Sequence, residues 1–514
     1  MRYLVSAEEM QRMDKNTSER LGVPGMVLME RAALAARELI LEYLRKKGLY
    51  GSSTRRHGNQ VPDVLIMVGI GNNGGDGLAL ARLLTERDVA VSVWCVGNRE
   101  KASAQWTAQM HILEHYQIDF CDGPQKEAYT VLVDALFGVG LSRELTGEYA
   151  DAVDSFDMLE GHKIALDLPS GISSDTGAVL GCAVKADETI TFGYEKRGLY
   201  LFPGSNYAGR TTLADVGIND RAFLGQTPGM FCLDPEDLKN LMPKRDAGGN
   251  KGTFGKVLVV AGSKGMAGAA ILAAKAAYRA GAGMVRVITD EGNRNIIQSA
   301  LPEALFGNYE DLSAGIYWAD AFVIGPGISQ SDAAADCMQK IIRAAEKPLV
   351  VDADGLNLLV RYDNLKKQLA KREGLCILTP HMGELARLVD TPVEKLKIRT
   401  WDYGLMLARQ MQCVVVAKDA RSFVCAENKT VCMNIYGNDG MATAGSGDVL
   451  AGILGGLMAQ NKESEDAFYT ACLGVYLHAA AGDLVAAQRG TFGCMAGDIA
   501  DAVSPVMKDA WKEE

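Results

Sequence analysis

The spacing of apolar and polar positions changes along the chain and marks out its elements. Ser6-Ala-Glu-Glu9 has the pattern in which a hydroxyl accepts from the amide three residues on while the glutamate reaches back, so a helix is predicted from about Ala7. A second helix is predicted after Pro24-Gly25, where Leu28, Met29, Ala32, Ala33 and Ala36 recur at helical spacing and read as a packing face. A polar loop is predicted at about residues 50–62. Beyond it, apolar runs alternate with helical segments, and strands are predicted at 64–68, 89–96, 131–134, 164–167 and 189–192.

Short β-rich runs separated by helical stretches of roughly 10–20 residues imply β-α-β units and a parallel sheet covered on both faces. The first half is therefore expected to be a Rossmann-like α/β sandwich. Turn residues cluster at 217–229 (Gly217, Asn219, Asp220, Gly225, Pro228, Gly229), after which the alternation restarts at Asp234-Pro-Glu-Asp. Strands are predicted at 256–261, 284–288, 321–324, 348–352, 375–378 and 413–416, a second α/β sheet. The halves differ in motif and length, so two unrelated modules are expected, at 1–219 and 231–510.

Composition narrows the function classes. The 514 residues carry 53 Lys+Arg against 64 Asp+Glu, a formal charge of −11 with no basic block, which disfavours a nucleic-acid partner. The 11 cysteines form no C-x-x-C pair and fall mostly in apolar runs, so they read as reduced and buried. The longest apolar stretch, residues 467–482, falls short of the ~20 residues of a spanning helix, and the N-terminus carries no signal-peptide pattern. A cytoplasmic protein without a membrane partner is expected, with a homo-oligomer permitted but not required.

The first half holds Gly69-Ile-Gly71-Asn72-Asn73-Gly74-Gly75-Asp76-Gly77 between a strand and a helix. Glycines there bring backbone amides and a helix N-terminus close to an anion such as pyrophosphate. The acid that would hold a ribose in a redox dehydrogenase is missing after the second strand, where Trp94-Cys-Val-Gly stands, so hydride transfer is disfavoured. Asp134 and Asp167 end two further strands, and with Asn73 they are expected to converge on one crevice. His111-Ile-Leu-Glu114-His115 fits an inverted zinc-protease pattern but lies in a crossover helix away from that crevice, and reads as a solvated face.

Met10 to Asp14, Gly22-Val-Pro24, Leu28-Met-Glu-Arg31, the Gly-Asn loop, Asp134-Ala-Leu-Phe-Gly-Val-Gly-Leu and Asp167-Leu-Pro-Ser-Gly together resemble the YjeF N-terminal family of NAD(P)HX epimerases. The resemblance implies that Asn72, Asn73, Gly74, Gly75, Asp76, Gly138, Val139, Gly140, Leu141, Ser142, Arg143, Glu144 and Asp167 contact a hydrated nicotinamide dinucleotide. It also implies a K⁺ ion near Asn73, Asp134 and Ser170. Asp167 is the candidate for proton transfer at C6 of the damaged ring. Lys196 is a weaker one, read as a surface charge.

In the second half, Gly445-Ser446-Gly447-Asp448 stands where a helix should begin. Its glycines expose amides at the positive helix end, suited to a transferring phosphoryl group, while Asp448 can accept a hydroxyl proton. Lys418 and Thr379-Pro-His381 follow two strand ends on the same side, and His381 also reads as a capping residue. Gly-Ser-Gly-Asp resembles the anion hole of ribokinase-like kinases. With Ala261-Gly-Ser, Gly325-Pro-Gly327 and Asp352-Ala-Asp-Gly-Leu-Asn357 the likeness is closer to the ADP-dependent NAD(P)HX dehydratases, which implies a ribokinase-like second domain and two three-layer αβα domains in all. It further implies hydrate contacts at Ala269, Gly327, His381 and Asp448, nucleotide contacts at Lys418, Asp419, Ala420, Arg421, Ser422 and Gly447, and Mg²⁺ with ADP. Asp419 stands where a glycine is usual, and Met382 where a proline is usual.

The expected function is repair of NADHX and NADPHX, with epimerisation of R and S hydrates in the first domain and dehydration of the S epimer at the expense of ADP, giving AMP and phosphate, in the second. The alternative is a ribokinase-like kinase of a vitamin precursor with a nucleotide-binding regulatory N-terminal domain.

Overall fold

The computed structural model describes residues 1–50, 62–461 and 466–511, so the loop predicted at 50–62 lies, from 51 to 61, outside the described residues. The chain divides into two compact units, Tyr3–Gly229 and Met230–Glu514, the second including Met1–Arg2.

In the first unit the strands are β1 (Arg2–Val5), β2 (Asp63–Val68), β3 (Ala90–Cys95), β4 (Asp119–Cys121), β5 (Ala128–Ala135), β6 (Glu160–Leu166), β7 (Glu188–Phe192), β8 (Glu195–Lys196) and β9 (Arg210–Ala214). Seven of them form a parallel sheet in the order β4-β3-β2-β5-β6-β7-β9. Both faces are covered: Val64, Ile66 and Val68 enter one core with Val131 and Val133, while Leu65, Met67 and Leu132 enter another with Trp94 and Phe156. Continuous apolar strands are what a doubly covered parallel sheet requires. Strand order reverses about β2, which opens a crevice at its carboxyl end.

The local signals that precede this crevice are realised. The Ser6 hydroxyl accepts from the Glu9 amide at 3.2 Å and Glu9 Oε2 accepts from the Ser6 amide at 2.7 Å, starting the helix Ala7–Glu19. The helix Gly25–Lys46 buries Leu28, Met29, Ala32, Ala33 and Ala36. In the glycine loop, Gly74 lies directly against the Gly69 carbonyl, and a side chain on Gly77 would sit 2.6 Å from the Ala135 Cβ. Strands β4 and β9 were not expected; they are short or polar sheet edges, where one-sided burial removes the apolar run. Helix Ala104–Leu113 ends before His115, and His111 and Glu114 are exposed, so the two histidines share no helix face.

The second unit adds β10 (Met230–Cys232), β11 (Lys256–Val260), β12 (Met284–Ile288), β13 (Leu305–Gly307), β14 (Ala321–Ile324), β15 (Leu349–Val351), β16 (Cys376–Leu378), β17 (Val414–Ala417), β18 (Phe423–Cys425) and β19 (Val431–Met433). Their order is β13-β12-β11-β14-β15-β16-β17-β18-β19-β10, parallel from β13 to β17 and antiparallel through β17-β18-β19. Helix Ser446–Gln460 lies against helix Ala267–Arg279, where Gly452 touches the Ala273 carbonyl and a side chain on Gly456 would sit 2.6 Å from the Ala277 oxygen. The apolar run expected at 467–482 belongs to a longer helix, Ala467–Arg489, whose 23 residues are long and apolar enough to cross a membrane. In the fold, 67% of its apolar window is buried inside the protein. All eleven cysteines are free and nine are buried.

Candidate active sites

In the first unit, the carboxyl ends of β2, β5 and β6 open into a cavity of about 440 Å³. The first turn of helix Asn72–Thr85 gives Asn72, Asn73 and Asp76, the loop after β5 gives Gly138 to Leu141, and the residue after β6 gives Asp167. Met10, Asp14, Leu28 and Met29 close the other side, so the two N-terminal helices are walls of the cavity as well as packing elements. Gly74 and Gly75 are buried behind it, and Ser142, Arg143 and Glu144 lie exposed beyond the lining.

Asp167 is held in the left-handed region at φ 68°, mostly buried. Its Oδ1 accepts from Lys196 Nζ, and its Oδ2 accepts from the Val139 amide at 3.3 Å. Lys196 corrects the sequence reading: it is 1% exposed, not a surface charge, and also donates to Thr191 Oγ1 at 3.1 Å and the Phe192 carbonyl at 2.8 Å. Pairing of Val5 with Lys196 in the β1–β8 ladder turns the side chain inward, a long-range contact invisible in the run Glu195-Lys-Arg197.

Two more carboxyls face this pair. Burial, then the charge of Asp167, raises the Asp14 pKa above the usual range, and the same causes together with Asp14 raise that of Asp76 well above it; Lys196 opposes both shifts. Asp14 and Lys196 are the site residues that sequence reasoning undervalued. The only signal for Asp14 was its place at the end of the Met10 to Asp14 stretch that carries the family resemblance.

Asp134 is fully buried, and burial pushes its carboxyl up to about 6. Its Oδ1 accepts from the Ser170 hydroxyl at 2.6 Å and the Leu136 amide at 3.1 Å, and its Oδ2 from the Ser170 amide at 2.7 Å. The Asn73 side-chain amide is buried, and neither its oxygen nor its nitrogen has a protein partner among the described residues. Burying an unpaired amide costs about 1–3 kcal/mol unless a ligand completes it.

In the second unit, the ends of β15, β16 and β17 are joined through Asp352, and Asp352 and Lys418 lie near Gly447 in the first turn of helix Ser446–Gln460. Asp352, after β15, is 2% exposed at its side chain; its Oδ1 accepts from Lys418 Nζ at 2.7 Å and Thr379 Oγ1 at 2.7 Å. A side chain on Gly447 would lie 3.2 Å from Lys418 Nζ, so that glycine lets the ammonium approach the helix's first turn. Gly445 caps this helix at φ 87°. Burial, then Asp352, pushes the Asp448 carboxyl up to about 6 against the pull of Lys418.

His381 realises its capping reading. Its Nδ1 accepts from the Gly383 and Glu384 amides at 3.0 and 3.3 Å, and Glu384 accepts from the His381 amide at 2.9 Å. Nε2 lies 3.4 Å from Glu384 Oε1, and burial pushes Glu384 up to about 7. The Lys418 amide donates to the Pro380 carbonyl, which joins this cap to the β17 end. Gly327, at φ 60°, lies against Ala269, its side-chain position 3.1 Å from the Ala269 Cβ. Residues 418–422 form the turn from β17 to β18: Asp419 is exposed and accepts from the Ala420 amide at 2.9 Å, Ala420 is exposed, and Arg421 and Ser422 are half-buried. Asp352 was quoted in a motif without a role; as the partner of Lys418 it is the residue the sequence left unassigned.

The sequence matches the family described as NAD(P)H-hydrate dehydratase over residues 257–505 and that described as YjeF-related protein N-terminus over residues 25–198. It is 35% identical to the bifunctional NAD(P)H-hydrate repair enzyme of Moorella thermoacetica, covering 99% of this chain and 98% of that one. It is 31% identical to the enzyme of that description from Escherichia coli, covering 96% and 92%. A solved ribokinase-like superfamily protein from Enterococcus faecalis is 27% identical with a TM-score of 0.50, covering 55% of this chain and 97% of that one.

Proposed function

This chain belongs to the bifunctional NAD(P)H-hydrate repair enzymes, and from that premise we propose how its two sites divide the work. The protein returns hydrated NADH and NADPH to use: it interconverts the R and S hydrates and dehydrates the S form at the expense of ADP. Epimerisation is assigned to residues 1–219 and dehydration to residues 231–510. The observation that carries the reading is the recurrence, once in each unit, of an acid near a lysine at the carboxyl end of a parallel sheet: Asp167 with Lys196, and Asp448 with Lys418.

C6 of the hydrate is a carbinolamine carbon. Transfer of its hydroxyl proton to Asp167, with the C6–N1 electron pair passing to N1 and the conjugated carboxamide, yields an open aldehyde; rotation, attack of N1 on the other face of the carbonyl and return of the proton to its oxygen give the other epimer. Lys196 fixes the Asp167 carboxylate from below, and the Gly138 to Leu141 loop leaves backbone rather than side chains against the ligand. Asn73, Asp134 and Ser170 offer oxygen donors of the kind a hard monovalent cation takes, and the unpartnered Asn73 amide fits a K⁺ ion there. Such an ion would supply positive charge beside the dinucleotide. Asn73→Ala is expected to remove a K⁺-specific rise in the first unit's melting temperature, measured in KCl against choline chloride, because only the native state offers the site. An equal rise in the variant would remove Asn73 from the ion's ligands.

In the second unit, Asp448 takes the 6-hydroxyl proton as that oxygen attacks the β-phosphorus of ADP. The Gly445 to Gly447 amides and Lys418 meet the transferring phosphoryl group, AMP leaves, and departure of phosphate from C6 with a proton from C5 to solvent re-forms the C5–C6 double bond of the ring. Mg²⁺ is proposed to enter with the nucleotide phosphates. Eleven free cysteines support a reducing, cytoplasmic setting.

The test is the near-ultraviolet absorbance of the dihydronicotinamide ring after a mixture of R and S hydrates meets the protein, Mg²⁺ and ADP. Recovery of both epimers is expected. Recovery that stops at the S fraction would deny the first unit its activity, and a stable phosphorylated product would favour the vitamin-precursor kinase.

A further inference from the structure

The loop that carries the anion-binding glycines is pinned at both ends by one helix. On Ala467–Arg489, the residues His478, Ala479, Gly482 and Asp483 fall at i, i+1, i+4 and i+5, a single stripe of a helix surface. Asp483 Oδ2 accepts from the Gly437 amide at 2.9 Å and Oδ1 from Asn438 Nδ2 at 2.8 Å, while Asn438 Oδ1 accepts from the Gly440 amide at 3.0 Å. Gly482 leaves room for the Met441 side chain, and a side chain on Gly437 would lie 3.6 Å from the Ala479 Cβ. At the other end, His478 Nε2 and Ser446 Oγ are hydrogen-bonded at 3.2 Å, with Ser446 itself buried.

We infer that His478 is a positioning residue for phosphoryl transfer, holding Ser446, and with it the Gly445 to Asp448 turn, in register with the helix that Asp483 ties to the start of the same loop. The inference rests on the dehydratase reading of the second unit. Ser446 is the residue whose hydroxyl belongs to the scaffold while its backbone belongs to the anion hole, so an anchor on the hydroxyl fixes the amides. Two pins five residues apart on a rigid helix, about 7.5 Å along its axis, oppose both sliding and rotation of the loop. Oriented amides act only when they meet the position at which charge develops, and a shift of about 1 Å costs on the order of 10²-fold in rate. Burial lowers the His478 pKa to about 4, so the ring is neutral at physiological pH and pairs with a neutral hydroxyl without introducing a charge beneath Lys418.

The experiment compares full-length wild-type protein with His478→Leu, Ser446→Ala, the double variant and His478→Gln, using the S hydrate with Mg²⁺ and ADP. The two single variants should each lower kcat for dehydration by about 30- to 100-fold, with KM for the hydrate and the Kd of Mg-ADP within about twofold. The double variant should fall no further than the worse single one, because both remove the same bond. Glutamine, whose amide reaches the hydroxyl, should recover most of kcat. A wild-type kcat in either single variant, multiplicative losses in the double, or a joint loss of kcat and Mg-ADP affinity that glutamine does not rescue would each overturn the positioning role. If His478→Leu fails to fold, Ser446→Ala carries the test alone. Asp448→Asn, run beside them, separates the two ideas: an inactive Asp448→Asn with a normal Ser446→Ala rejects only the positioning, whereas an active Asp448→Asn rejects the dehydratase reading itself.

Discussion

An Asp448→Asn variant is expected to lose return of NADH from the S hydrate by about 10³-fold or more in kcat while R and S hydrates continue to interconvert at the wild-type rate. A general base contributes on the order of 10²–10⁴ in rate, and asparagine keeps the shape of the side chain while removing its basicity. Burial and Asp352 raise the Asp448 carboxyl to about 6, so the wild-type enzyme should gain dehydration activity as pH rises to about 6 and level off above it. The same shift has a sign for stability. The folded protein holds this proton more tightly than the unfolded chain does, so the ionised acid makes folding less favourable as pH rises from its ordinary value of 3.8 towards 6. Asparagine carries no such penalty. The melting temperature of the variant at pH 8 should therefore equal or exceed that of the wild type, and a marked fall would indicate that activity was lost through misfolding.

Lys196→Met is expected to abolish epimerisation, by about 10²-fold or more, and to destabilise the first unit by about 3–5 kcal/mol, the usual cost of removing one partner of a buried ion pair. Asp167 would be left mostly buried in a pocket that also holds Asp14 and Asp76, whose upward-shifted carboxyls Lys196 at present opposes. Because the loss comes from an uncompensated charge, adding Asp167→Asn to Lys196→Met should restore much of the stability without restoring epimerisation. Thermal unfolding and the rate of R-to-S conversion check the two halves of this expectation. A double variant no more stable than the single one would refute the electrostatic account. Dehydration of pure S hydrate, measured in parallel, should be unchanged throughout.

The parts of this protein that could be read from its sequence are those fixed by local periodicity. The capping box at Ser6, the apolar face of residues 28–36 and eleven strand centres depend on neighbours a few positions away, and they stand where their spacing predicts. Asp134 and Asp167 were legible as candidate site residues because parallel strands deliver their carboxyl ends to one edge, and Asp448 because Gly445-Ser-Gly447 marks a helix start before it. Lys196 was not, because its burial depends on pairing with Val5, almost two hundred residues earlier. Asp352 had a motif but no role, since the partner that gives it one, Lys418, arrives from a different strand end. His381 illustrates the reverse case: its capping role is local and predictable, because Nδ1 accepts from the amides two and three residues on.

The seam between helices Ala267–Arg279 and Ser446–Gln460 works as a fixed calliper. Gly452 and Gly456 bring one backbone against the other at Ala273 and Ala277, and the jaws are the two helix starts, near Ala269 and Asp448. With the jaws set by contact between main chains, the distance between these two helix starts is a property of the helix pair rather than of the side chains around them. Any change in that distance would have to come through the residues of the seam, well away from the two positions it sets.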